Sequence, residues 1–326
     1  MSRLLSTVSA ITFIAGTYAS ADIPKVVADI APIHSLVSRV MDGVGEPKLI
    51  VPNETSPHDY RLRPADAEAI ENANLVFWMG EGLTPWMERA LEALSNDTDI
   101  IEFLALEEST LLSFREGALF EAHDHSDHDD HDDHDKDHDD HDDHDDHDDH
   151  AGHDHGEYDP HAWLSTNNAK TWLNVIAARL SSIDPDNAGA YFANASEARG
   201  EMDALDVEIN TMLDPVRGGK FVVFHDAYQY FETVYDFPAS GAISLGDASD
   251  PSAARVAEIA NRIKSENIAC VLSEPQFNAG LVKTVMGGTD ATTEVIDPLG
   301  FGIEPGKSLY PKLIRAMAQS LVNCLK

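Results

Sequence analysis

The chain of 326 residues is poor in positive charge: 22 Lys and Arg stand against 58 Asp and Glu, a formal net charge of −36. This balance excludes a nucleic-acid binder that works by neutralising phosphates, because such a protein needs a basic face. Hydrophobic residues still make up 43% of the chain, so wholesale disorder is excluded as well. The acidic excess fits a cationic partner such as a metal ion.

Long hydrophobic runs are also absent, and no stretch approaches the roughly 18 apolar residues of a membrane-spanning helix. The apolar segment 8–15 is short; it follows the charge of Arg3 and precedes small residues that end at Ala21. This pattern predicts a signal peptide, residues 1–21, cleaved after Ala21. The alternative is an apolar segment that is retained. Without a cysteine at the cleavage site, no lipid anchor is indicated, which suits a periplasmic protein.

Cysteine is scarce, with only Cys270 and Cys324 in the chain. An exported protein folds in an oxidising compartment, where an even count of cysteines indicates one disulfide. Such a bond would close about 55 residues and would stabilise the fold by roughly 4 kcal/mol in the chain-entropy model. Two free buried thiols are the alternative. With no C-x-x-C motif, a zinc site built from thiolates is not indicated.

Short apolar runs alternate with helical patterns on both sides of an acidic insert. In the first half, strands are predicted at 23–30, 48–51, 74–79 and 99–103, and helices at 33–41, 64–72 and 86–94. In the second half, strands are predicted at 221–224, 268–272 and 292–296, and helices at 251–266, 279–286 and 310–324. The alternation predicts an α/β fold with parallel sheets flanked by helices.

Two helical stretches, 166–183 and 185–213, join the halves. The second has no internal proline and few glycines, and as one helix it would be roughly 40 Å long. A continuous helix makes a stiff connection, unlike a Gly/Ser linker. We therefore predict an N-terminal α/β lobe over residues 22–165, a helical region over 166–216 and a C-terminal α/β lobe over 217–326.

Twelve of the 16 histidines lie in one segment, residues 123–155, together with seventeen Asp. We predict a disordered insert, because this segment buries nothing that would offset its chain entropy. Imidazole mixed with carboxylate suits zinc, copper or nickel in several loose sites. A solvated acidic loop without a metal role is the alternative. The predicted accessory ligands are His123, His125, His128, His131, His134, His138, His141, His144, His147, His150, His153 and His155.

Four further residues follow predicted strands or the insert: His58, His161, His225 and Asp297. Ligand sites of open α/β sheets gather at the carboxyl ends of the strands. A metal ion between the halves could therefore reach His58 from the first half and both His225 and Asp297 from the second. Each histidine alone could equally be a hydrogen-bonded structural group. Glu274, also at a strand end, is predicted to be a structural group or to support the site, and not to bind metal.

Five strings, in order over essentially the whole mature chain, resemble the zinc-specific members of the cluster A-I family of solute-binding proteins. They are Ser56-Pro57-His58-Asp59-Tyr60 with Leu62-Arg63-Pro64, His161-Ala162-Trp163-Leu164-Ser165, Phe224-His225-Asp226-Ala227-Tyr228 with Tyr230-Phe231, Glu274-Pro275-Gln276-Phe277, and Asp297-Pro298-Leu299-Gly300. The resemblance implies two pseudo-symmetric α/β lobes joined by one long rigid helix. It also implies a His-rich loop at the position of residues 123–155, which we call the histidine-rich tract. The family's zinc members pair two cysteines that are placed like Cys270 and Cys324.

The family's zinc ligands can be carried over residue by residue. His58, His161 and His225 match its three zinc-binding histidines, whereas manganese-type relatives have a carboxylate at the third position. Neutral imidazoles favour Zn²⁺ over manganese. The family's fourth ligand varies between water, a nearby carboxylate and the aspartate that Asp297 matches. Pro57 stands where some zinc members carry a ligating glutamate, so Asp297, in competition with water, is the expected fourth ligand.

The resemblance implies high-affinity capture of Zn²⁺ in the periplasm and delivery to the membrane permease of an ABC importer, by a monomer that docks transiently. A zinc hydrolase is the competing hypothesis, because three histidines with an open fourth position can also activate water. The chain has neither H-E-x-x-H nor G-x-S-x-G, so no enzymatic activity is expected. Metal buffering by the tract alone would leave the five strings unexplained.

Overall fold

The structure is a computed structural model that describes residues 23–95, 98–115, 120, 158–244, 251–276 and 279–326. The predicted signal peptide, residues 1–21, and the histidine-rich tract, residues 123–155, with its expected disorder, lie outside these ranges. Among the helices that are described, none is long and apolar enough to cross a membrane.

The first half forms a parallel four-stranded sheet in the order β2-β1-β3-β4. Its strands are β1 (Val26–Ala28), β2 (Lys48–Leu49), β3 (Leu75–Trp78) and β4 (Asp99–Glu102), and its helices are α1 (Ala31–Val40), α2 (Pro64–Glu71) and α3 (Pro85–Leu94). Every residue of β1 and β3 is buried, as expected for a parallel sheet covered on both faces. Each of the three helices has a proline in its first turn, where the missing N–H costs no hydrogen bond.

Two long helices follow, α4 (Thr166–Ile183) and α5 (Ala188–Leu213). Ser165 caps α4, because its side chain accepts a hydrogen bond from the backbone N–H of Asn168. The predicted helix 185–213 begins instead with a 3-10 turn, Pro185–Asn187, before the 26 residues of α5. At 1.5 Å per residue α5 is about 39 Å long. It packs against α4 and also against α1, so it is joined firmly to the first half.

The second half repeats the architecture as a parallel sheet in the order β6-β5-β7-β8. Its strands are β5 (Phe221–His225), β6 (Ala242–Ser244), β7 (Cys270–Ser273) and β8 (Thr292–Val295), and its helices are α6 (Gln229–Tyr235), α7 (Ala253–Ser265), α8 (Ala279–Val285) and α9 (Leu309–Leu325). Helix α9 packs on α5 and on α1. The predicted fold class is confirmed: two sheets with the same strand order, flanked by helices and connected by one long helix.

A disulfide joins Cys270 in β7 to Cys324 in α9, with the Cα atoms 5.6 Å apart. The expected cysteine pairing is thereby confirmed, and it fastens the last helix to the second sheet. Two elements escaped the sequence prediction, β6 and α6. The other predicted strand ends agree with the observed ones to within three residues.

The hydrophobic core is divided by the second sheet. Phe221 and Val223 of β5 belong to the main cluster, which extends through α5 and α9 to the first sheet. Val222 and Phe224 belong to a smaller cluster on the opposite face, with residues of α7 and α8. Because side chains alternate along a strand, His225 falls on the same face as Phe221 and Val223.

Candidate metal centre

His225 is the last residue of β5 and is 3% exposed. Its Nδ1 donates a hydrogen bond to Oε1 of Glu274 at 2.6 Å. Glu274 follows the end of the neighbouring strand β7 and is itself buried. Two adjacent parallel strands therefore supply the imidazole and the carboxylate that orients it, as the rule on carboxyl ends of strands predicts.

His161 is held by a carboxylate two residues earlier in the chain. Oδ1 of Asp159 accepts a hydrogen bond from the backbone N–H of His161 at 3.0 Å and another from its Nδ1 at 2.7 Å. Both residues are buried, with His161 7% exposed. The indole of Trp163, in the turn that follows, donates to the carbonyl of Pro298 at 2.8 Å. The loop that carries His161 is thus fastened to the loop that carries Asp297.

The two buried imidazoles meet through their remaining nitrogens, with 3.4 Å between Nε2 of His161 and Nε2 of His225. Because each Nδ1 donates to a carboxylate, each neutral ring presents a lone pair at Nε2. A tetrahedral zinc ion with Zn–N bonds of about 2.0–2.1 Å separates two nitrogen ligands by about 3.3–3.4 Å. The spacing of the two nitrogens is that of one edge of a zinc site.

His58 lies on the loop between β2 and α2 and is half-buried. The loop is fixed on one side by Trp86, whose indole donates to the carbonyl of Pro57 at 2.8 Å. On the other side, the hydroxyl of Tyr60 donates to Asp66 at 2.6 Å. The ring centroid of His58 lies 6.1 Å from that of His161, compared with 5.2 Å between His161 and His225.

Within the part of the chain that the structure describes, no three His, Cys, Asp or Glu side chains are grouped closely enough to hold a metal ion. The structure therefore brings His161 and His225 into ligand spacing and places His58 at the wall of the same pocket.

Asp297 follows β8, and its carboxylate is engaged in the turn that it begins. It accepts hydrogen bonds from the backbone N–H groups of Leu299, at 3.1 Å, and Phe301. The side-chain amide of Gln276 donates to it at 3.2 Å. Among the described residues that line the histidine pocket, Gln276 is present and Asp297 is not.

The pocket takes its lining from both halves of the chain. Apolar groups surround the imidazoles, among them Leu83, Trp163 and Leu299. Burial, together with the negative charge of Glu274 and Asp297, raises the pKa of Tyr228 well above its ordinary value, so this hydroxyl stays neutral. The carboxylates of Glu274 and Asp159 supply the negative charge that would offset a bound cation.

Sequence reasoning missed Asp159 as the group that orients His161. The signal was local, since an aspartate two residues before another residue commonly bonds to that residue's backbone N–H. Glu274 contacts the Nδ1 of His225, and its supporting role stays a prediction.

Two α/β halves that share a buried histidine pocket define a solute-binding protein of the two-lobed, metal-binding class. A family profile described as "ZnuA: Zinc-uptake complex component A periplasmic" matches residues 26–324. The high-affinity zinc uptake system protein ZnuA of Brucella abortus (strain 2308) is 46% identical over 332 residues, covering 100% of this chain and 99% of the relative. The protein of the same name from Paracoccus denitrificans is 45% identical over 308 residues, covering 94% and 93%.

The chain belongs to the ZnuA family of periplasmic zinc-uptake components. Among solved structures, a crystal structure of ZnuA superimposes with a TM-score of 0.71 at 23% identity, covering 94% of this chain and 100% of that one. That likeness shows the shared fold. The family inferred from the five strings is confirmed, and it is a family of zinc-binding transport components, not of enzymes.

Proposed function

We propose that this protein captures Zn²⁺ in the pocket between its two sheets and delivers it to the membrane permease of an ABC importer. The observation that carries the proposal is the pair of buried Nε2 atoms of His161 and His225, 3.4 Å apart, with each Nδ1 bonded to a carboxylate. Each ring is held with its lone pair toward the pocket, where a cation relieves the repulsion between the two.

The donor set fits zinc as the transported ion. His58, His161 and His225 supply three neutral nitrogens, which suit Zn²⁺ better than manganese, calcium or magnesium. Asp297 or a water molecule completes the tetrahedron. For Asp297 to bind, its carboxylate must share the hydrogen bonds that it now accepts from Leu299 and Gln276, so its contribution is expected to be smaller than that of any histidine.

The architecture supports a site shared by two lobes, residues 22–165 and 217–326, joined through the helical region 166–216. Helix α5 packs along helices of both lobes, and a rigid connection of this kind favours local movement of loops over wide opening of the lobes. The names of the curated relatives, high-affinity zinc uptake system proteins, support zinc as the ligand. The family description, a component of a zinc-uptake complex, supports partner proteins in that complex. The protein is expected to act as a periplasmic monomer, exported after cleavage at Ala21.

The twelve histidines of residues 123–155 are proposed as an accessory element that collects or senses zinc. Its mixed imidazole and carboxylate groups bind late first-row metals without enforcing one geometry. We therefore expect several weak sites there, separate from the tight site in the pocket.

Calorimetric zinc titration tests the proposal on residues 22–326 and on the same protein lacking residues 123–155. The expected result is one tight zinc in both proteins, with additional weak sites in the longer one. Loss of the tight zinc in the deleted protein would move the function to the tract and would remove His58, His161 and His225 from the primary site.

A further inference from the structure

The two segments that flank the histidine-rich tract come together at its base. Ser113 and Tyr158 form an antiparallel bridge, and the backbone N–H of Asp159 donates to the carbonyl of Leu112 at 2.8 Å. We call residues 112–115 and 158–159 the stem. The stem leads directly to the zinc pocket, because the side chain of Asp159 is the acceptor that orients His161.

Tyr230, on helix α6 of the second half, holds both sides of the stem with one hydroxyl. The hydroxyl donates to the carbonyl of Asp159 at 2.8 Å and accepts from the backbone N–H of Leu112 at 3.0 Å. Tyr230 is 2% exposed, so both bonds are sheltered from water. Its neighbour Gln229 adds a bond from Nε2 to the carbonyl of Ser113 at 3.1 Å.

Arg115 attaches the stem to the turn that carries the other buried histidine. Its guanidinium donates to both carboxylate oxygens of Asp226, the residue after His225, and to Glu232 at 2.6 and 3.0 Å. Asp226 and Glu232 are both buried. Without Arg115 these two carboxylates would lie close together without the cation that compensates them, and the turn after His225 would be under electrostatic strain.

We propose that the stem is a positioning element of the zinc site, in which Tyr230 positions His161 through Asp159 and Arg115 positions His225 through Asp226. The inference rests on the proposed function, since it assumes that the two histidines bind zinc. The segment after the tract positions His161, and the segment before it positions His225. A displacement of the stem would therefore change the geometry of the zinc site.

The test compares two tyrosines of the same helix. Tyr230→Phe removes the hydroxyl bonded to the stem. Tyr235→Phe removes an equally buried hydroxyl, which donates to Asp206 at 2.8 Å and does not contact the stem. Zinc affinity of residues 22–326 is measured by competition with a chelator, so that the weak sites of the tract do not contribute. One equivalent of Co²⁺ reports ligand geometry through its visible absorption.

We expect Tyr230→Phe to weaken zinc binding about tenfold, the lower end of the range for residues that orient metal ligands, and to alter the Co²⁺ spectrum. Tyr235→Phe is expected to lower the melting temperature similarly while leaving affinity and spectrum unchanged. Equal zinc affinities in the two variants would overturn the role of Tyr230. A wild-type protein without a tight site would instead overturn the proposed function, so the two failures are distinguishable.

Arg115→Lys gives the second variant, because it retains the charge and loses the planar fork that engages two carboxylates. We expect weaker zinc binding in a folded protein, with a larger loss in Arg115→Gln. If both variants fold and bind zinc like the wild type, Arg115 has no positioning role.

Discussion

The two sheets have the same strand order, yet they use the corresponding strand end differently. In the first sheet, the central strand β1 is followed by Asp29; in the second, β5 ends in His225. Both side chains are buried. The carboxylate of Asp29 accepts hydrogen bonds from the backbone N–H groups of Ile30 and Met79, each at 2.7 Å. His225 is bonded to Glu274 at Nδ1 and faces a pocket with Nε2.

The difference shows what separates a structural polar group from a binding group at the same place in a fold. The oxygens of Asp29 are used to join β1 to the end of β3. The imidazole of His225 is oriented by Glu274 and places its Nε2 3.4 Å from Nε2 of a second imidazole. The position on the sheet does not decide the role of the residue; the groups that its side chain faces do.

Of the changes that test this comparison, replacement of His225 should have the largest effect on zinc affinity. Structural zinc sites have apparent binding free energies of about 10–16 kcal/mol, which four ligands share. Loss of one ligand therefore corresponds to a decrease in affinity of about a hundredfold to a thousandfold. We expect His225→Ala to lose the tight zinc measured by chelator competition, as should His58→Ala and His161→Ala, while weak binding to the tract persists. Wild-type affinity in all three variants would show that the pocket is not the zinc site.

Replacement of Glu274, whose carboxylate is bonded to His225, should have an intermediate effect on zinc affinity. In Glu274→Gln the hydrogen bond to Nδ1 survives but the negative charge does not, so the imidazole becomes a weaker donor to the metal. We expect zinc affinity to fall about 10- to 100-fold, as for other groups that orient metal ligands. Glu258→Gln, on the half-exposed side of α7, is the control and should bind zinc normally. Equal affinities in the two variants would remove Glu274 from the site.

Asp29 should affect stability in a pH-dependent way and leave zinc binding unchanged. Complete burial raises the pKa of Asp29 from 3.8 to about 7, although hydrogen bonds from Met79 and Ile30 act to lower it. The folded protein therefore holds a proton that the unfolded chain releases, and the stability contributed by this proton is lost as pH rises through 7. We expect a loss of about 1.4 kcal/mol in the free energy of unfolding between about pH 6 and pH 8.

Urea unfolding of wild type and Asp29→Asn across this pH range measures the effect. Asp66→Asn is the matched control: burial acts to raise the pKa of Asp66, but hydrogen bonds from Arg63 and Tyr60 hold it below its ordinary value. Asp66 therefore stays ionised throughout, and Asp66→Asn should parallel the wild type. If the free energy of unfolding of the wild type and of Asp29→Asn depended on pH in the same way, the raised pKa of Asp29 would be contradicted.

Much of the fold was predictable because buried parallel strands are continuous apolar runs. The strands β1, β3, β5 and β7 all carry this signal. Strand β6 was missed because its apolar residues, Ala242 and Ile243, stand directly between Gly241 and Ser244 and form no longer apolar run. Helix α6 was missed because Tyr230, Phe231 and Tyr235 are aromatic residues that favour strands, and their helical conformation is set by tertiary packing.

Candidate site residues could be proposed from the sequence, but the geometry that relates them could not. His58 and His225 could be named because strand ends and family strings coincide there, and His161 because a family string follows the insert. The partnership of His225 with Glu274 joins residues 49 positions apart, and it depends on β5 and β7 being neighbours, which local patterns do not reveal. The 3.4 Å separation of the two Nε2 atoms likewise follows from how the halves are joined.

The most direct measurement is X-ray diffraction at the zinc absorption edge from crystals of the protein with one equivalent of Zn²⁺. We expect an anomalous peak between His161 and His225, about 2.0–2.1 Å from each Nε2, with His58 moved in as the third ligand. A strongest peak elsewhere, with none in the pocket, would contradict this expectation.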